Sequence, residues 1–195
     1  MRIIDISQEV LSCTVYPGDP APQAEKIVSM ENGEVYNLSA FSMCAHNGTH
    51  VDAPFHFLNS GKTIEQISLD SFVGMCFVAE HTGQVSEEDA GAIMMRAKRA
   101  GAEERILIAG DVTVTAEAAK VFADAGIKLI GNEGQTIGPE DAPMEVHKIL
   151  LEKEVVLLEG IVLNGVREDR YFLNAAPLNL KGFDGAPCRA YLIEN

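Results

Sequence analysis

Two features are scarce in this chain: basic residues and long apolar runs. Fifteen lysines and arginines stand against 29 aspartates and glutamates, so the formal net charge is −14. Such a charge opposes binding to nucleic-acid phosphates and anionic lipids, and no basic cluster offsets it locally. No apolar run reaches the ~20 residues that span a bilayer, and the first residues lack the apolar core of a signal peptide. We therefore expect a soluble, cytoplasmic protein with no nucleic-acid or membrane partner.

Paired cysteine motifs and low-complexity tracts are also missing. The four widely spaced cysteines form no Cys-x-x-Cys pair; they are Cys13, Cys44, Cys76 and Cys188. This spacing argues against a structural zinc cluster and indicates reduced thiols in place of disulfides. Of the 195 residues, 47% are apolar, and there is no Pro/Gly/Ser-rich linker or internal repeat. We expect one domain over residues 1–195.

Strands and helices alternate in the middle of the sequence. Ser86 and the acidic residues after it form a helix start, and this helix is predicted to run to about Ala100 and stop at Gly101. Further helices are predicted over 115–125 and 143–151. Apolar strands are predicted before, between and after the helices, over 71–79, 105–109, 128–130 and 155–158. This alternation predicts parallel crossover units.

Both ends of the sequence show strand patterns joined by turns. The predicted strands there cover 2–6, 24–30, 36–45, 171–180 and 185–193. Antiparallel strands are therefore expected beside the parallel portion, and the fold class is α/β, a single domain with a mixed sheet.

The densest group of potential metal ligands lies within residues 45–57. This stretch holds three of the five histidines, His46, His50 and His56, together with Asp52. All four occupy even positions, so an extended backbone would direct their side chains to one face. Imidazole and carboxylate groups are ligands of zinc, manganese and iron. A lone histidine is more often an ordinary polar residue, but four such groups among apolar residues predict a metal site.

The spacing of these ligands requires a bend in the backbone. Residues two apart on a strand are about 6.6 Å apart at Cα, so His50 and Asp52 can share one ion. His46 and His50 would be about 13 Å apart on a straight strand, too far for ligand bonds of roughly 2.1 Å to one ion. A helix is disfavoured because Gly48 is a poor helix former and Pro54 would break the helix. Gly48 is the predicted bend.

Residues 46–56 also resemble a known family. Their sequence, HNGTHVDAPFH, is similar to the His-x-Gly-Thr-His-x-Asp-x-Pro-x-His signature of the cyclase-like metal-dependent hydrolases, which include bacterial kynurenine formamidases and isatin hydrolases. The family pattern also contains a histidine followed twelve positions later by a glutamate, and His147 and Glu159 match it. The resemblance extends to the C-terminal segment and implies a cyclase-like (swivelling β/β/α) domain.

Roles for particular residues follow from this resemblance. It implies that His46, His50 and Asp52 hold a first divalent metal ion. Asp52 would bridge to a second ion held by His147, and Glu159 would be shared between both ions. Zinc is the expected metal, with manganese as the alternative.

Two further roles complete the implied site. His56 is left as the general acid/base, and Tyr16 replaces the tryptophan of the family's Trp-Pro-Gly-Asp loop as an aromatic wall of the substrate pocket. A divalent ion lowers the pKa of bound water toward roughly 7 and polarises a carbonyl group, while an imidazole can protonate a departing amine. The resemblance implies hydrolysis of a non-peptide amide bond, N-formylkynurenine as the leading substrate, and a homodimer or larger homo-oligomer.

Some alternatives stay open. The glycine-rich loop 131–138, GNEGQTIG, lacks phosphate-binding spacing and is interpreted as a pocket loop at the end of a strand. This loop and Tyr16 depart from the family pattern, so cyclic amides or lactones are alternative substrates. A metal-binding protein without catalytic activity is a second alternative, and a thiol enzyme is a third.

Overall fold

The chain folds around a nine-stranded mixed sheet in the computed structural model, which describes residues 1–194. Thirteen strands are found in these residues: β1 Arg2–Asp5, β2 Gln23–Val28, β3 Leu38–Ser42, β4 His50–Asp52, β5 Val73–Glu80, β6 Gly83–Val85, β7 Arg105–Ala109, β8 Val112–Val114, β9 Leu129–Asn132, β10 Val156–Glu159, β11 Asp169–Asn174, β12 Gly185–Pro187 and β13 Tyr191–Glu194. The α-helices are α1 Glu87–Ala100, α2 Ala116–Asp124 and α3 Met144–Leu151.

The main sheet is parallel at its centre and antiparallel toward both edges. Its strand order is β1-β13-β11-β5-β7-β9-β10-β4-β12. Strands β5, β7, β9 and β10 run parallel to one another, and α1, α2 and α3 lie in the three crossovers that join them. Strands β4 and β12 add antiparallel pairs beside β10. The predicted α/β class with a mixed sheet is confirmed.

The central strands are buried on both faces. Ile106 and Ile108 of β7 pack in the cluster that holds Phe122 of α2. Leu107, between them, packs in a second cluster on the opposite face, with Ile6 among its members. Alternate side chains of a strand point to opposite faces, so a parallel sheet covered on both sides is apolar throughout.

The helix ends follow local signals in the sequence. Ser86 caps α1 through a capping box with Asp89, and Gly101 ends the helix with a φ of 66°. Thr115 caps α2 by accepting a hydrogen bond from the backbone N–H of Ala118. The three predicted helices are confirmed within one residue at each end. None of the helices in residues 1–194 combines the length and apolar character needed to cross a membrane.

Three predicted strands differ from the structure. The prediction of one strand over 185–193 is wrong, because β12 pairs with β4 while β13 pairs with β1 and β11 on the other side of the sheet. Pro187 ends β12, since proline has no N–H to donate to a continuing ladder. The predicted strand 171–180 ends at Asn174, and 36–45 contains only the five residues of β3.

Candidate metal centre

Strand β4 carries two of the predicted ligands. His50 and Asp52 are two residues apart, so the alternation of the strand directs both side chains to the same face. The neighbouring strand β10 places Glu159 directly opposite His50 in the antiparallel pair. All three side chains are almost fully buried. The two strands therefore bring one imidazole and two carboxylates into a space shielded from water.

The backbone bends at Gly48, as the spacing of the histidines predicts. Gly48 has a φ of 61°, a conformation that glycine adopts without steric cost. Its carbonyl accepts a hydrogen bond from Nδ1 of His50 at 2.9 Å. His46 lies in a turn and His56 ends a short 3-10 segment, so strand alternation directs only His50 and Asp52 to a common face. The bend returns His46 to within 2.8 Å of Asp52.

Helix α3 contributes His147. Its Nδ1 donates to the Pro143 carbonyl at 2.9 Å, which leaves Nε2 facing the carboxylates. This Nε2 lies 3.6 Å from Oδ2 of Asp52 and 3.3 Å from Oε1 of Glu159. Nε2 of His50 lies 3.4 Å from Oδ1 of Asp52 and 3.5 Å from Oε2 of Glu159. Each carboxylate thus presents one oxygen to His50 and the other to His147.

These distances suit ligand atoms around a metal ion better than they suit hydrogen bonds. N–H···O hydrogen bonds join atoms about 2.7–3.2 Å apart, whereas tetrahedral ligands bound at roughly 2.1 Å lie about 3.4 Å from one another. Within residues 1–194, Oδ2 of Asp52 is a buried oxygen without a hydrogen-bond partner. A buried anionic oxygen needs a cation or a donor. The donor set and its spacing therefore fit divalent cations.

Two groups of side chains offer donor atoms close enough to share an ion. One consists of His50, Asp52 and Glu159, and the other of His46, Asp52 and His56. Asp52 belongs to both groups.

Without a metal ion, protonated histidines balance the negative charge of the Asp52 and Glu159 carboxylates. Burial opposes a charge on His50 and His147, but the facing carboxylates of Asp52 and Glu159 outweigh it and raise the pKa to about 9 for His50 and about 10 for His147. Burial also raises the pKa of both carboxyl groups, yet the facing histidines hold it below its ordinary value. The site is therefore built to hold positive charge against two buried carboxylates.

Asp184 is a member of the site that sequence reasoning missed. Its Oδ2 accepts hydrogen bonds from Nε2 of His46 at 2.9 Å and from Nδ1 of His56 at 3.1 Å. These imidazoles hold the pKa of the Asp184 carboxyl well below its usual range. Burial lowers the pKa of His46, but Asp184 and Asp52 outweigh it and raise that pKa to about 11. In the sequence Asp184 is a lone aspartate after Phe183 in the turn 182–185, and a single carboxylate in a turn gives no local signal of a site.

A cavity of about 520 Å3 opens from the cluster toward the surface. Tyr16 and Phe57 line it as aromatic walls, and Gln135 and Thr136 of loop 131–138 line it as polar residues. The hydroxyl of Tyr16 donates to the Glu140 carbonyl at 2.8 Å. This volume is typical of sites for small molecules. The structure confirms the interpretation of 131–138 as a pocket loop.

The residues proposed from the sequence gather in or beside this cavity. They are Tyr16, His46, His50, Asp52, His56, His147 and Glu159. Their individual roles stay predictions. The four cysteines are free thiols, as expected, and Cys44 also lines the cavity.

Histidines and carboxylates clustered beside an open cavity are the arrangement that a metal-dependent hydrolase requires. Residues 4–139 match the model of the family described as putative cyclase, and the chain belongs to that family.

Known proteins resemble the chain over almost its whole length. It is 34% identical to a kynurenine formamidase of Salinibacter ruber, over 98% of this chain and 97% of the relative. It is 32% identical to a kynurenine formamidase of Erythrobacter litoralis, over 99% of this chain and 94% of the relative. A solved structure described as a potential metal-dependent hydrolase with cyclase activity is 28% identical and has a TM-score of 0.81, over 100% of this chain and 99% of the other.

Proposed function

We propose that this protein is a metal-dependent hydrolase of non-peptide amide bonds and that its substrate is N-formylkynurenine. The observation that carries the proposal is the division of the Asp52 and Glu159 oxygens between His50 and His147. Such a division suits two ions held side by side. Full-length similarity to two kynurenine formamidases supports the substrate.

The ligand assignment follows the two sides of Asp52. Oδ1 faces His46 and His50, so these three residues would hold the first ion. Oδ2 faces His147, which would hold the second ion, and Glu159 has an oxygen on each side. Zinc suits this nitrogen and oxygen set, and manganese is the alternative. Divalent ions held here would supply a water nucleophile of lowered pKa and polarise the substrate carbonyl.

His56 is placed to act as the general acid/base. Its side chain is 27% exposed, against 14% for His46, 1% for His50 and 3% for His147, so it is the histidine of the cluster most open to the cavity. In amide hydrolysis the water oxygen bonds to the formyl carbon, the C–N bond breaks, and the leaving nitrogen gains a proton. His56 can deliver that proton from the cavity wall.

The cavity walls suit an aryl amide. Tyr16 and Phe57 offer aromatic surface for an aniline ring, and Gln135 and Thr136 offer polar groups beside it. Aromatic rings pack favourably on such walls, while a few polar groups fix orientation.

The test combines metal content with turnover. We expect about two zinc or manganese ions per chain in the wild type, together with hydrolysis of N-formylkynurenine. Asp52→Ala should lose both metal and turnover, because Asp52 contributes to both ion positions. His56→Ala should keep the metal and lose about 10²- to 10⁴-fold in kcat, the usual contribution of a general acid or base.

The other outcomes separate the alternatives. Two ions without turnover on N-formylkynurenine would contradict the substrate, and assays with cyclic amides and lactones would then test the hydrolase class. Bound metal without turnover on any of these substrates, and with metal content unchanged in His56→Ala, would indicate a non-catalytic metal-binding protein. Inactivation by thiol alkylation without metal dependence would indicate a thiol enzyme. Absence of metal under replete conditions would overturn the metal site.

A further inference from the structure

Asp184 links two histidines to which different roles are proposed. The same carboxylate oxygen, Oδ2, accepts from Nε2 of His46 at 2.9 Å and from Nδ1 of His56 at 3.1 Å. The two imidazole rings lie side by side, with centroids 4.1 Å apart and planes 33° apart. Any movement of Asp184 would therefore displace both rings.

The backbone holds Asp184 firmly against the metal-ligand segment. Its carbonyl accepts from the N–H of Ala53 at 2.8 Å, and the Phe183 carbonyl accepts from the N–H of Ile64 at 2.9 Å. The next residue, Gly185, begins β12 and pairs with Asp52 on β4. Main-chain hydrogen bonds thus fix Asp184 beside β4, the strand that carries His50 and Asp52.

Gly185 provides the space that this arrangement needs. A Cβ atom at Gly185 would lie 2.7 Å from Cε1 of His46 and 2.7 Å from the Val51 carbonyl oxygen, closer than non-bonded atoms approach a real Cβ. The φ of Gly185 is not in the left-handed region, so these two close contacts explain the glycine and backbone conformation does not. The start of β12 therefore packs tightly against both His46 and β4.

Three histidines show one pattern of hydrogen bonding. His50 gives its outer N–H to the Gly48 carbonyl, and His147 gives its outer N–H to the Pro143 carbonyl. Metal-ligating histidines commonly donate the second ring N–H to a carbonyl or carboxylate, which fixes the ring and its tautomer. His46 follows the same pattern with Asp184 as the acceptor, and its Nδ1 faces Asp52.

We propose that Asp184 is a positioning residue that fixes His46 and His56 through one carboxylate oxygen and so sets the distance between the metal centre and the acid/base histidine. This proposal rests on the hydrolase function proposed above. A carboxylate partner also makes the ligating imidazole more basic, which a carbonyl partner does less strongly.

The experiment measures zinc affinity and turnover separately in full-length variants. Asp184→Ala should lower zinc affinity about 10- to 100-fold, the usual effect of losing an outer hydrogen-bond partner. It should also lower kcat with a smaller change in KM, because His56 loses its fixed orientation. Asp184→Glu keeps the carboxylate and should recover part of both losses. Asp19→Asn removes another cavity carboxylate, one that contacts Cys44, and should leave zinc affinity unchanged.

NMR spectroscopy distinguishes a loss of the hydrogen bonds that position His46 and His56 from a general loss of protein stability. In the zinc-loaded wild type, nitrogen-resolved NMR should show hydrogen-bonded protons on Nε2 of His46 and Nδ1 of His56. Both signals should be lost in Asp184→Ala, which has no acceptor at this position. Wild-type zinc affinity with both signals retained in Asp184→Ala would overturn the proposal. Zinc affinity needs no substrate, so failure of the wild type to hydrolyse N-formylkynurenine would contradict the function without affecting this test.

Discussion

His46, His50 and His147 carry protons that metal ligands must give up. In the metal-free protein the carboxylates of Asp184, Asp52 and Glu159 raise the pKa of all three imidazoles, to about 11, about 9 and about 10, despite burial. A nitrogen that binds a metal ion cannot keep its proton. Metal uptake at neutral pH therefore has to displace protons from buried groups.

This competition predicts that metal binds more tightly as pH rises. Below the raised pKa values the histidines are protonated and protons compete with the metal, and the competition weakens as pH approaches those values. We expect zinc affinity to increase between pH about 6 and 8, with proton release on binding. Calorimetry in buffers of different ionisation enthalpy would count the protons. His81→Asn, at a histidine bonded to the Gln84 carbonyl outside the cavity, should leave that count unchanged. Zinc affinity independent of pH would contradict the prediction.

Strand β10 ends at a glycine that brings two segments of the site together. Gly160 has a φ of 65°, and a Cβ atom there would collide with the Gly48 carbonyl and the Gln135 side chain. The N–H of Gly160 donates to the Gly134 carbonyl at 2.7 Å. The end of β10, the Gly48 bend and the pocket loop thus meet at a point without space for a side chain.

Gly160→Ala should therefore lower the free energy of unfolding by more than backbone strain alone would. Gly101 offers a matched control, because its φ of 66° is nearly the same but a Cβ atom there would meet nothing within 4 Å. Gly101→Ala should lower the free energy of unfolding by about 1–2 kcal/mol, the cost of a left-handed alanine. Gly160→Ala should lose more stability and should also weaken zinc binding. Urea unfolding and zinc competition would measure both, and equal losses in the two variants would contradict the prediction.

Elements with local signals were predictable from the sequence, and long-range contacts were not. The caps Ser86 and Gly101 gave the bounds of α1, and the ligand spacing required the bend at Gly48. The separation of β12 from β13 depends on pairing with distant strands, which no local pattern shows. Asp184 is likewise 138 residues from His46, its hydrogen-bond partner. Only the fold brings such residues into contact.

The β2–β3 hairpin and the segment that joins its strands expose several large apolar side chains. All five residues of β3 are exposed, and Phe41 is 63% exposed. Ile27, Val35 and Tyr36 add more exposed apolar surface. An isolated two-stranded hairpin is marginally stable in water, and contiguous apolar patches commonly mark interfaces. We propose that a second copy of the chain covers this hairpin.

The hairpin therefore predicts a homo-oligomer. Phe41→Asp should shift the protein toward the monomer in sedimentation velocity, because a buried carboxylate without a partner opposes association. Met95→Asp changes another exposed apolar residue, which lies on α1 at 54% exposure, and should leave the oligomer intact. A wild-type protein that is monomeric at all concentrations tested would contradict the prediction.

The pairing of β1 with β13 has a consequence for synthesis on the ribosome. Arg2 lies opposite Glu194, so β1 pairs with a strand that is synthesised only after β2 to β12. At ~5–20 residues per second, β1 waits on the order of ten to forty seconds for its partner. Until then β11 also lacks its neighbour β13, and the nascent chain presents unpaired strand edges that invite aggregation. We therefore expect chaperones to bind the nascent chain until β13 has been synthesised and has paired with β1 and β11.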